Sequence, residues 1–146
     1  MLRSRMDRVK AGRARLLVVA LLAVGALGGC YWRQYPRLME THLGLMIEFA
    51  EKLESLAEAG RVVPPERWGE FTYPLERARD FARIAAKRYP DRASLASFDR
   101  AVSVYGALVA DPRILDGPDA ESDVARQVAE LRLAAEEVRV ELARER

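Results

Sequence analysis

The chain of 146 residues carries a formal charge of +2, with a single cysteine and a single histidine. That length supports one small domain with a modest core. A lone cysteine rules out an intrachain disulfide, and a lone histidine rules out the zinc sites built mainly from imidazole. The charge is unevenly spread. Residues 1–15 hold Arg3, Arg5, Arg8, Lys10, Arg13 and Arg15 against Asp7, a net of +5, and residues 16–29 are uncharged, which leaves −3 for residues 30–146. The basic character belongs to the amino terminus and gives no argument for a nucleic-acid partner.

From Leu16 to Gly29 the chain reads Leu-Leu-Val-Val-Ala-Leu-Leu-Ala-Val-Gly-Ala-Leu-Gly-Gly. This is within the roughly 7–15 residues of the apolar part of an export signal and short of the ~20 that cross a bilayer. The cations before it favour a cytoplasmic location for that end. The run closes on Leu27-Gly28-Gly29-Cys30, which resembles the lipobox of bacterial lipoproteins: a branched apolar residue, two small residues, then cysteine. The match departs at Gly28, where Ala or Ser is commoner. The resemblance implies that the Cys30 thiol takes a diacylglyceryl group, that a peptidase cuts before it, and that the freed amine is acylated in turn. It divides the chain into a signal peptide (1–29), a membrane-proximal tether (30–35) and a helical domain (36–146), with membrane lipid as partner through acylated Cys30. Tyr31 stands where Asp would signal inner-membrane retention in enteric bacteria, so the resemblance suggests an outer membrane where the source has one, and the cell membrane otherwise. The alternative is a single-pass protein. Extended through Cys30, Tyr31 and Trp32, the apolar run reaches the lower limit of an uncleaved transmembrane anchor. Both readings put the remainder on the extracytoplasmic side.

The rings of Tyr31, Trp32 and Tyr35 suit either the lipid headgroup region or the end of a bundle. A first helix is expected to begin near Pro36, a residue suited to the first turn, and to end before Gly60, with Met39, Leu43, Met46, Ala50, Leu53 and Ala57 in alternating steps of four and three. His42, Phe49 and Leu56 widen that seam along one flank. Pro64-Pro65 separates it from a second helix carrying Trp68, Phe71, Leu75, Ala78, Ala82, Ala85 and Tyr89, with a kink or restart expected near Tyr73 because Pro74 lacks an N–H. After Tyr89-Pro90-Asp91, residues 93–110 read as a shorter helix with Leu95, Phe98, Val102, Tyr105 and Val109 inward. A loop containing Gly117-Pro118 leads to Asp119 or Ser122 as a cap. The last helix then repeats the seam at Val124, Val128, Leu131, Ala135, Val138 and Leu142. No stretch alternates as a strand. The fold class is all-α, an antiparallel four-helix bundle following the N-terminal hydrophobic signal or anchor helix. A three-helix bundle with the third helix packed across one end is the alternative.

Catalytic chemistry has little to stand on. Met39 occupies the position three before His42, so the Glu-x-x-His of di-iron bundles is missing. Met39 and Met46 share the helix of His42 and cannot face it across a porphyrin. Ser94, Ser97 and Ser103 lack a nucleophile-elbow motif, and the chain has no glycine-rich phosphate loop. The abundant carboxylates, interleaved with arginines, read as a salt-bridged surface. No cofactor, metal or enzymatic activity is expected. Two apolar lines fall away from the seams: Leu38 with Leu45, and Leu133 with Val140. These are the candidate partner surface, for an envelope protein or a second copy of the chain. A pocket for a small apolar ligand among Trp68, Phe71, Phe98 and Tyr105 is the other functional reading.

Overall fold

The computed structural model describes residues 34–146, and among these every regular element is an α-helix or a short 3₁₀ turn. The lipobox residues Leu27, Gly28, Gly29 and Cys30 lie outside the described residues, as do Tyr31 and Trp32. Residues Arg37–Arg146 form one compact unit.

Among the described residues helix α1 covers 34–58 and includes Pro36. Its end matches the expected glycine cap. Gly60 has φ +61°. Its N–H donates to Ala57 O (3.0 Å), and the N–H of Arg61 donates to Leu56 O (2.8 Å). Those two bonds are a Schellman cap, and glycine adopts the left-handed conformation it needs without a Cβ penalty.

A 3₁₀ turn at Pro65–Arg67 leads into α2, Gly69–Arg88, which runs through Pro74 without a restart. Pro74 cannot donate to the carbonyl of Glu70, which weakens the ladder locally. One residue along, the carbonyl of Phe71 accepts a bond from outside the helix, from the hydroxyl of Tyr105 at 2.7 Å. Tyr105 lies on α3, Ala93–Leu108, which ends slightly before the expected residue 110. Its last carbonyls also find a partner, because the indole N–H of Trp68 donates to Val109 O at 3.0 Å.

The connection after α3 holds a second 3₁₀ turn, Pro112–Leu115. Asp111 opens it by accepting the N–H of Arg113 at 2.9 Å. The Arg113 guanidinium on the same carboxylate holds the pKa of Asp111 down to about 2. Helix α4 then runs over Ala120–Arg144. Asp119 stands at its N-cap as expected, but its side chain makes no capping bond. Its carbonyl accepts instead from the N–H of Asp123 (2.9 Å) and from the hydroxyl of Ser122 (3.0 Å).

Contacts between named pairs fix the order and direction of the helices. His42 meets Phe81 (ring centroids 5.1 Å apart) and Phe49 meets Phe71 (5.8 Å), so α1 and α2 are antiparallel neighbours. Phe81 with Phe98, and Phe71 with Tyr105, do the same for α2 and α3. Arg100 pairs with Glu137 and Ser94 with Glu145 across α3 and α4. Finally Arg132 reaches Glu51 and Glu54, and Arg139 reaches Glu40, which sets α4 antiparallel to α1 and closes the ring. This is the up-down-up-down four-helix arrangement. It excludes the version with α3 lying across one end.

The expected seams form the core. Met39, Leu43, Met46, Ala50 and Leu53 have no accessible surface, nor do Val124, Val128, Leu131, Ala135 and Val138. Apolar side chains buried to this degree contribute about 1.5–3 kcal/mol each for the larger residues.

Two hydroxyl substitutions separate buried from surface bonding. Tyr105→Phe strands part of the Phe71 carbonyl in the core and should lower stability by about 1–3 kcal/mol. In urea unfolding the midpoint falls while the slope is unchanged. Ser103→Ala removes a bond to the carbonyl of Asp99 on the exposed side of α3 and should change stability by less than about 0.5 kcal/mol.

Candidate interaction surfaces

Leu133 and Val140 lie one heptad apart on α4, and the seam residues Leu131, Ala134, Ala135 and Val138 are all buried. At about 100° per residue, positions 133 and 140 come out nearly opposite that seam. Leu133 is accordingly 69% exposed and Val140 41%. With Arg100, Glu137, Glu141 and Arg144 they line a shallow open groove of about 420 Å³ on the outside of α3 and α4. The pair Arg100–Glu137, with nitrogen to oxygen distances of 3.1 and 3.0 Å, forms one bank.

Leu38 and Leu45 are placed differently. Both are half-buried. They follow the flank of α1 that carries His42 and Phe49, the residues in contact with α2. The opposite flank of α1 carries Glu40, Glu51 and Glu54 and faces α4. The four residues therefore do not converge on one surface. Leu133 and Val140 form an outward line on α4, whereas Leu38 and Leu45 belong to the outer edge of the α1–α2 seam. That edge also bears apolar side chains the heptad reading passed over: Ile84 is 47% exposed and Tyr73 52%.

The aromatic residues considered as a ligand pocket are packed into the core. Trp68 and Phe71 are 5.4 Å apart, Phe81 and Phe98 are 5.4 Å apart, and Trp68, Phe71, Phe98 and Tyr105 are all buried. The polar atoms of Trp68 and Tyr105 are bonded to backbone carbonyls. Burial pushes the Tyr105 phenol well above its ordinary range. A separate cleft of about 160 Å³ opens beside the α1–α2 connection, between Lys52, Leu56, Val63, Pro64 and Phe71. Lys52 occupies its wall, 5.5 Å from the ring centroids of both Phe49 and Phe71.

His42 is half-buried beside Phe81, and its pKa lies below the ordinary imidazole value, through burial first and the nearby Arg77 cation second. No cluster of His, Cys, Asp and Glu among the described residues has the geometry to hold a metal ion. Ser94, unremarkable in the sequence, is fully buried. Its N–H and hydroxyl both donate to the carboxylate of Glu145, at 3.0 and 2.7 Å. The residue at the N-cap of α3, Arg92, makes no side-chain capping bond. Glu145, arriving from the end of α4, supplies the negative charge that this helix start favours.

No helix among the described residues is long and apolar enough to cross a membrane. No protein-family model, curated protein or solved structure matches the chain significantly.

Two measurements follow from this geometry. Leu133→Glu with Val140→Glu should leave helicity intact and change stability by about 1 kcal/mol at most, because both side chains already meet water. Leu131→Glu, two residues from Leu133 but in the core, should prevent folding; circular dichroism with urea titration distinguishes them. His42 gives a pH dependence. Its folded pKa lies below 6.5, so in the window beneath that value the unfolded chain binds a proton that the folded chain refuses. The contribution is complete above pH 6.5 and is lost as pH falls through the folded value. Between about pH 7.5 and about pH 5.5 the unfolding midpoint should drop further in the parent than in His42→Gln.

Proposed function

We propose that the protein is a lipid-anchored, extracytoplasmic helical bundle that acts as an accessory or adaptor by contacting other proteins. The observation carrying this reading is the order of residues 1–30: clustered cations, an uncharged apolar run, and Leu27-Gly28-Gly29-Cys30. Only a thiol at that point can form the thioether of a lipid anchor. Two or more acyl chains give stable attachment where one gives marginal binding. The uncleaved single-pass form shares the same side of the membrane but keeps residues 1–29.

A protein partner is supported by the outward line on α4. Leu133 stands 69% exposed, so a partner that covers it gains burial free energy that the bundle itself does not use. It lies between charged banks, and an apolar strip with a charged rim is the usual anatomy of a contact surface. The partner is an envelope protein or a second copy of the chain, and Leu133→Glu with Val140→Glu should abolish its recovery with the membrane-extracted protein.

The anchor has its own test. Cys30→Ser should eliminate incorporation of a fatty-acid analogue and leave the protein at its unprocessed size. Equal labelling and equal size in the variant would overturn the lipid-anchor assignment.

A further inference from the structure

The antiparallel ring sorts charge by end. One end comprises residues 37, 86–92 and 143–146. It holds Arg37, Lys87, Arg88, Arg92, Arg144 and Arg146 against Asp91 and Glu145, a net of +4. The opposite end, residues 55–68 and 109–123, sums to −4. The two ends are brought together from distant sequence by the helix directions described above, and a bundle of net negative charge thus carries a positive base.

Part of that base is already neutralised internally. Arg92 lies 3.7 Å from Glu145, and Arg144 lies 2.7 Å from Glu141. Arg37, Lys87 and Arg146 are exposed and have no carboxylate partner among the described residues. Apolar surface accompanies them. Ile84 is 47% exposed one turn before Arg88, and Pro90 is exposed in the α2–α3 turn. Leu38 is half-buried and lies in the same layer as Ile84, one turn beyond the His42–Phe81 contact.

The short link to Cys30 bears on which surface this end meets. At no more than about 3.6 Å per residue, the link from Cys30 to Gln34 spans at most about 14 Å. That is comparable with the ~8–10 Å over which charges act at ordinary ionic strength. We infer that the basic end of the bundle is a headgroup-binding surface, seating the domain through Arg37, Lys87 and Arg146 on the phosphates of anionic phospholipid. The inference rests on the membrane-anchored reading for its geometry, and it assigns that reading an orientation. The bundle axis stands away from the bilayer, the acidic end points outward, and the Leu133–Val140 line on the side of α4 stays open to a protein partner.

The two lysines among the described residues make the test. Lys87 is in the basic end, and Lys52 is in the other half of the bundle. The full chain is incorporated into vesicles of phosphatidylcholine alone, or with phosphatidylglycerol added, and acylated briefly with an amine reagent; mass spectrometry then compares the two sites. On the anionic vesicles Lys87 should react several-fold more slowly relative to Lys52, with no slowing on phosphatidylcholine. Raising ionic strength to about 1 M, where screening shortens to ~3 Å, should restore it. Arg37→Glu with Arg146→Glu, checked for unchanged helicity, should also restore it. Equal reactivity of Lys87 on both vesicle types overturns the proposal, as does protection of Lys52 instead. Protection of Lys87 without vesicles that grows with protein concentration assigns the surface to a second copy and overturns it too. The mass of the same sample separates this outcome from the anchor. Acylated Cys30 with unprotected Lys87 refutes the seating alone, whereas unmodified Cys30 with protected Lys87 refutes the anchor alone.

Discussion

A helix with a wide apolar stripe needs cover on both flanks, and α1 obtains its second flank only because α4 returns to it. The cross-links on that return are polar: Arg132 spans Glu51 and Glu54 at 3.0 and 3.2 Å, and Arg139 meets Glu40 at 3.3 Å. Exposed pairs of this kind contribute little each. Their value is in register, since they align the two helices while the buried seams of Met46 and Leu131 provide the energy. Everything else described here depends on that closure. It fixes the cyclic order of the helices, gathers the connections at two ends, and leaves one pole of α4 facing water.

The interior was largely legible from spacing. Seam positions such as Leu43, Ala50, Val128 and Val138 were predicted from steps of three and four and are buried, because a core-facing stripe depends only on the helix's own period. Leu133 and Val140 were equally readable, since a position opposite the seam meets water whatever the neighbour. Leu38 and Leu45 were not. They sit on a flank, and whether a flank is covered depends on which helix lies beside it, which no single helix encodes. The bonds of Tyr105 to Phe71, Trp68 to Val109 and Ser94 to Glu145 were hidden for the same reason, each joining residues at least 34 apart in sequence. Pro74 shows a smaller limit of the same kind. Its missing N–H argued for a kink or a restart; there is no restart, and α2 continues through it, with Tyr105 serving the carbonyl next to the one it leaves without a donor.

Function divides along a similar line. The proposed address rests on residues 1–30, on the order and type of the residues alone. The proposed use of the bundle draws on the fold, because the separation of basic and acidic ends appears only after antiparallel packing brings Arg37, Lys87 and Arg146 into one layer. The overall charge of the chain hides that separation, and the charge of residues 30–146, which is negative, points the other way. A domain with one basic end, one acidic end and an apolar line along its side fits the proposed seating on a membrane, with a partner reached laterally.

The side of the membrane on which residues 34–146 reside is the measurement that bears most directly on this account, because the lipid-anchored and single-pass forms share it. Paired carboxyl-terminal fusions would report it, one to a phosphatase active only after export and one to a fluorescent protein that matures only in the cytoplasm. The account predicts an active phosphatase and a dark fluorescent fusion. A fluorescent fusion beside an inactive phosphatase would place the bundle inside the cell and contradict the anchor, the partner and the orientation together.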